Sequence, residues 1–300
     1  MTIRLDMLRV VGRARDALGD SLDAVRGFLY RQLAPDGGFR GRDGHSDLYY
    51  TVFGLEASLA LGVEIPDERL NAYLSRFGTG ESLDLVHLTS LIRCRANMTE
   101  KCAGGMNEST REAMAGHLLR HRLPDGGFST AAGASRGNVY GCFLALGACQ
   151  DLGLDLRHFE AVGESVRSLQ MPDGGYANEP AMTVSATPAT AAAVCVLHDL
   201  QRAVPESALR WLGDRAGPLG GFTALPLPSD VAVPDLLSTA TALHALALLG
   251  ALPREKRDKH LDYLDSLWSP QGGFRGHGAD ETVDCEYTYY GLLSLGNLVE

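Results

Sequence analysis

Pro124-Asp125-Gly126-Gly127-Phe128 recurs with small changes as Pro35-Asp36-Gly37-Gly38-Phe39, Pro172-Asp173-Gly174-Gly175-Tyr176, Leu219-Gly220-Gly221-Phe222 and Pro270-Gln271-Gly272-Gly273-Phe274. Proline and paired glycines stop a helix and supply turn positions of positive φ, where a residue with a side chain is strained. The aromatic ring that follows can anchor the turn in a core. The last four aromatic positions, 128, 176, 222 and 274, are 48, 46 and 52 residues apart, whereas 39 precedes 128 by 89. A degenerate copy is therefore expected in that gap. Arg76-Phe77-Gly78-Thr79-Gly80, followed by a helix-like run from Asp84, supplies it and makes the count six.

After each turn comes an apolar run at helical spacing, such as Leu48, Val52, Leu55, Leu59 and Leu61, or Leu236, Thr239, Leu243, Leu246 and Leu249. These runs are rich in small residues and apolar nearly all round, as suits a helix buried on more than one side. The partner segments, such as 255–267 with its Lys and Asp residues, are one-sided and belong outside. Six inner–outer hairpins predict an all-α fold, a closed (α/α)6 toroid spanning 1–300 as one domain. An open superhelix of HEAT type lacks a Gly-Gly-aromatic turn in every repeat.

The 300-residue chain is 45% hydrophobic and 21% charged, an ordinary globular composition. Its net charge of −10, with no basic stripe, argues against a nucleic-acid partner. No window approaches 18 apolar residues, so no membrane span is expected. Met1 to Arg15 is amphipathic, with Asp6 inside it, and reads as a structural helix rather than a secretory signal. Cys94, Cys102, Cys142, Cys149, Cys195 and Cys285 are scattered without metal or disulfide spacing, which predicts reduced thiols and a cytoplasmic protein.

The run G-G-F-x-G followed by Asp, aromatic residues and a small apolar helix resembles the prenyltransferase and squalene oxidase repeat over nearly the whole chain. That repeat builds the β subunits of protein prenyltransferases and the barrel domains of class II terpene cyclases. The resemblance implies an apolar isoprenoid cavity. In the prenyltransferases, G-G-F-x-G-R is followed by a Lys and D-x-C-Y. The Arg, Lys and Tyr bind diphosphate; the Asp and Cys, with a His from another repeat, bind zinc. Here Gly37-Gly38-Phe39-Arg40-Gly41-Arg42 with His45, Asp47 and Tyr50 matches the first part, making Arg42, His45 and Tyr50 candidate diphosphate contacts, with Tyr287 beside them from the last repeat. Tyr49 stands where the family has cysteine. In the last repeat Cys285 follows Asp284 directly and Glu286 takes the ligand position, so the zinc pattern is broken. A divalent metal on Asp84 and His87, with Asp47, is the remaining metal arrangement, one suited to a harder cation. The cyclases' D-x-D-D motif is absent, Ser229 to Asp235 having two aspartates at the wrong spacing, and so is D-D-x-x-D.

Asp47, Asp84, Asp235 and Asp284 open inner helices, where Asp serves equally as an N-cap. Tyr49, Tyr50, Phe53, Tyr287, Tyr289 and Tyr290 gather where the last repeat meets the first, lining a pocket or packing the seam. Glu286 among them is a candidate acid, because a carboxyl in low dielectric holds its proton to higher pH. With Asp47 and Asp284 it forms the candidate catalytic set. His198 and His244 read as core residues without a role. Three functions follow: a prenyltransferase-like enzyme binding a polyprenyl diphosphate, with a protein partner left open; a terpene-cyclase-like enzyme without D-x-D-D; or a non-catalytic toroid scaffold.

Overall fold

A computed structural model describes residues 1–99, 106–228 and 231–299. Cys102 and Asp230 lie outside the described residues. Each Gly-Gly turn joins an outer helix to an inner one. The pairs are α2 (Leu22–Gln32) with α3 (Leu48–Leu61), α4 (Asp67–Ser75) with α5 (Leu85–Thr99), α6 (Glu108–Leu119) with α7 (Val139–Asp151), α8 (Glu160–Arg167) with α9 (Thr187–Asp199), α10 (Glu206–Gly213) with α11 (Leu236–Leu248), and α12 (Arg257–Leu267) with α13 (Cys285–Leu298). Each inner helix packs on the next, and α13 packs on α3, so the ring is closed. The segment Arg76–Gly80 occupies the same place as the other turns.

One local construction recurs at the turns. The aromatic residue is buried and pairs, antiparallel, with the residue six positions before it: Leu33 with Phe39, Arg122 with Phe128, Gln170 with Tyr176, Ala216 with Phe222, Trp268 with Phe274. These pairings, an Arg275–Val283 bridge and a few two-residue strands make up the β pairing among the described residues, where the sequence suggested none. The aromatic residue's N–H then donates to a side chain one turn into the inner helix: Thr51 at 3.0 Å, Thr190 at 2.9 Å, Thr239 at 2.9 Å, Thr288 at 3.3 Å and, in one repeat, the Cys142 sulfur at 3.4 Å. A buried amide is thus satisfied by the helix it introduces.

The turns also tie neighbouring repeats together. Gly272, at φ +95°, lies so close to α2 that a Cβ there would sit 2.0 Å from the Ala24 carbonyl oxygen, and the contact joins the last repeat to the first. Gly272→Ala is expected to lower stability by more than about 1 kcal/mol, read from urea unfolding, because both the backbone conformation and the contact forbid a methyl. Gly44→Ala shares the positive φ, +83°, but has nothing within 4 Å. It should cost clearly less, and equal losses would show that closure contributes nothing.

The amphipathic N-terminal segment forms α1 (Ile3–Leu18), which stands outside the hairpin count. It crosses the end of the ring where the inner helices terminate. The Ile3 N–H donates to Gln150 Oε1 at 2.7 Å, Arg4 reaches Asp151 at 2.8 Å and Asn97 at 2.8 Å, and Gly296 abuts the Val10 carbonyl. This end is plugged. The other end, where the inner helices begin, is the mouth.

Candidate active site

The inner helices begin on a common level set by their caps. Asp47, Asn138, Asp235 and Asp284 each accept a backbone N–H three residues on, at 3.0, 2.7, 2.8 and 2.8 Å, and Asp84 accepts that of His87 at 2.9 Å. Capping satisfies amides that have no partner in the first turn. With the starts level, the second, sixth and ninth residues of each inner helix share one face and point into the ring.

Three tiers result. At the mouth stand Tyr49, Val86, Tyr140, Pro188, Leu237 and Glu286; below them Phe53, Ser90, Leu144, Ala192, Thr241 and Tyr290; deepest are Glu56, Arg93, Gly147, Cys195, His244 and Leu293. All but Glu56 line one of two cavities. The larger, about 400 Å³, lies against α9, whose inward residues Pro188, Ala192 and Cys195 are too small to fill the ring. On the α3–α5–α7 side the larger side chains leave only about 80 Å³.

Glu286 is the single carboxyl of the mouth tier. Its carboxyl lines the large cavity with Tyr49, Tyr140, Phe143 and Tyr290, and accepts a 2.6 Å hydrogen bond from the Tyr49 hydroxyl. Burial raises its pKa, as does nearby Asp284, and this outweighs the opposing hydrogen bond from Tyr49. A half-buried acid facing aromatic rings across an apolar space is equipped to hand a proton to a weak base.

Of the residues marked in the sequence, Glu286, Tyr49 and Tyr290 meet in this cavity. The others do not. Arg42 spans the seam outside it, its Nε 2.8 Å from Asp284 and an Nη 3.2 Å from Asp280, with the guanidinium 5.2 Å from the Tyr287 ring centre. Two carboxylates therefore already hold the cation expected to be free for a diphosphate. Asp284 is buried, caps α13 and binds Arg42; burial raises its pKa. Asp47 is a half-buried cap, Tyr50 flanks the Arg42 cluster, and His45 is exposed on a turn, its N–H donating to Asp43.

Asp84 and His87 bond to each other at 2.9 Å on the surface. Among the described residues no three His, Cys, Asp or Glu side chains come together as a metal site, with Asp47 or otherwise. The family's zinc fits poorly here, because Cys285 is fully buried and burial pushes its thiol's pKa up.

Sequence reasoning passed over Tyr140, Phe143, Ala192 and the Glu56–Arg93 pair, and read His244 as a core residue without a role. The signal was present for all but Phe143, the fifth residue of α7: once the caps are aligned, the second, sixth and ninth positions name every tier.

A closed ring of helical hairpins with an apolar cavity entered at the helix starts defines an α/α toroid. The prenyltransferase alpha-alpha toroid domain model matches residues 5–224 and 190–299, and the chain belongs to that family. Drimenyl diphosphate synthase from Streptomyces showdoensis is 31% identical over 295 residues, covering 89% of this chain and 51% of that protein. The chain thus spans about half the length of this relative. Among solved structures, protein geranylgeranyltransferase-I from Candida albicans complexed with GGPP superposes with a TM-score of 0.64 at 16% identity, over 81% of this chain and 84% of that one. A type II terpene cyclase from Scytonema gives 0.63 at 15% identity, over 95% and 97%. These likenesses show the fold. No described helix is long and apolar enough to cross a membrane.

Proposed function

We propose that the chain is an isoprenoid cyclase of terpene-cyclase type, in which Glu286 protonates a carbon–carbon double bond of a polyprenyl diphosphate held in the large cavity. The observation that carries this reading is the placement of Glu286: a carboxyl of raised pKa, the single acid side chain lining an aromatic-walled space of about 400 Å³. That volume falls within the roughly 300–1,000 Å³ of small-molecule sites. Proton transfer breaks the Glu286 O–H bond, forms a C–H bond and leaves a carbocation. The faces of Tyr49, Tyr140, Phe143 and Tyr290 would stabilise the cation, at about 0.5–2 kcal/mol for each well-placed ring, and keep water from it. The 31% identical relative, a drimenyl diphosphate synthase, supports this reading.

The polar head would lie at the mouth, where the donors at hand are His45, Tyr50, Tyr287 and the N–H groups of Arg42 left over from its bonds to Asp284 and Asp280. Asp43, Asp47, Asp280 and Asp284 stand among them, so a diphosphate is best received with its charge offset by divalent ions that it brings. Asp84 and His87 provide two further contacts for such an ion; no step here depends on it. Prenyl transfer to a protein thiol is less well served, since the zinc ligands of that chemistry do not converge. Five buried free thiols among the described residues suit a reducing compartment, the cytoplasm.

Binding is tested by thermal-shift titration with farnesyl and geranylgeranyl diphosphate, with and without Mg²⁺, against inorganic diphosphate. A ligand at 100 times its Kd stabilises by about 2.7 kcal/mol. The lipid diphosphates should raise the midpoint, inorganic diphosphate should not, and Ala192→Phe, which fills the cavity, should remove the rise. If inorganic diphosphate stabilises equally, or Ala192→Phe changes nothing, the cavity is not the binding site.

A further inference from the structure

We propose that His244, at the deep end of the cavity, is the base that ends the reaction by taking a proton from the final carbocation. The inference rests on the cyclase reading of Glu286. It begins with the carboxyl, guanidinium and imidazole groups that the tiers turn inward. Glu286 is bonded to Tyr49, and Glu56 and Arg93 are bonded to each other at 2.6 and 2.7 Å. His244 remains. It is 7% exposed, lines the large cavity, and its Nδ1 is buried without a hydrogen-bond partner. A buried imidazole nitrogen left unsatisfied costs stability, so its presence at a cavity wall points to a group it meets when the cavity is filled.

Its surroundings suit a proton acceptor. Burial favours the neutral ring, which retains a lone pair. The Asp6 carboxylate of α1 is 3.8 Å from Nε2, and Asp199 and Asn297 also face the ring, with Arg93 opposing them. An imidazolium formed there meets a carboxylate at once. Asp6 is partly exposed, so the proton has a route to solvent at the plugged end.

The geometry separates the two proton steps. His244 is the ninth residue of its helix and Glu286 the second of its own, which puts the base about 10 Å deeper at 1.5 Å rise per residue. A chain protonated at the mouth and cyclised along the cavity presents its last cation toward the floor. There a C–H bond breaks, its electron pair becomes the new C=C bond, and the proton passes to the imidazole. Glu286 regains its proton from solvent at the mouth. Atoms and charge balance without a co-reactant.

The test compares products of the wild type and His244→Ala after incubation with farnesyl or geranylgeranyl diphosphate, using gas chromatography and mass spectrometry of the dephosphorylated extracts. The wild type is expected to give one dominant olefin. His244→Ala should shift the ratio of that olefin to hydroxylated and isomeric products by at least tenfold, Asp6→Asn should shift it the same way by less, and His244→Gln should fail to restore it. An unchanged ratio overturns the assignment to His244 while leaving Glu286 in place. A wild type that consumes neither lipid overturns the cyclase reading, and this inference with it.

A second measurement needs no turnover. In Glu286→Gln protein labelled with ¹⁵N-histidine, farnesyl diphosphate should move the His244 ring signals more than those of exposed His45 and His198. Equal movement would place the occupant away from the floor and overturn the proposal.

Discussion

Glu286→Gln is expected to lower the rate of isoprenoid diphosphate consumption by about 10²–10⁴-fold, the usual range for removing a positioned general acid. The amide keeps the shape and can still accept the Tyr49 hydrogen bond, so the thermal shift with farnesyl diphosphate should survive. The loss therefore belongs in kcat and not in KM. The pH profile follows from the same group. The acid acts protonated, and burial raises its pKa, so the wild-type rate should be level at low pH and fall as pH rises through that pKa. Tyr49→Phe removes a bond that favours the carboxylate, and should extend the level region to higher pH. Consumption that survives in Glu286→Gln would move the acid elsewhere, with Asp284 next to be tested.

The second large effect concerns stability. Glu56 is fully buried, is held by Arg93 through both oxygens at 2.6 and 2.7 Å, and accepts from Asn97 at 3.0 Å. Asn97 in turn accepts from Arg4 of α1, which pairs with Asp151. Glu56→Ala strands the Arg93 guanidinium in the wall and should cost about 3–5 kcal/mol, read from a urea midpoint. The double variant Glu56→Met, Arg93→Met should recover most of that loss, because the desolvation penalty goes with the charges. A double variant no better than Glu56→Ala would show that the pair supplies net stability.

The fold was legible because punctuation repeats: Gly37, Gly126, Gly174, Gly220 and Gly272 sit at positions where the backbone turns with positive φ against the next outer helix. The aspartates proved ambiguous for a physical reason. A cap and a rim carboxylate occupy the same helix position, and Asp47, Asp84, Asp235 and Asp284 all cap. Arg42 looked free for a phosphate because its partner Asp284 lies 242 residues away. Glu286 could be singled out, since a carboxylate in the first turn of an apolar helix is conspicuous. His244 could not, because a lone histidine deep in a helix looks the same whether it faces a wall or a hollow. Only the common level of the caps tells the two apart, and α1, which plugs the ring, has no repeat partner to betray its place.

The three tiers have a consequence for how such proteins diversify. Grammar and vocabulary are kept apart: turns, caps and the threonines beneath them set the ring, while the inward positions spell out its contents. A new interior can be written by exchanging a few letters, Ala192 or Thr241 among them, with no insertion and no shift of register. The hollow of this ring is therefore a text that single substitutions can edit, and its neighbours in sequence space should differ in what they hold well before they differ in shape.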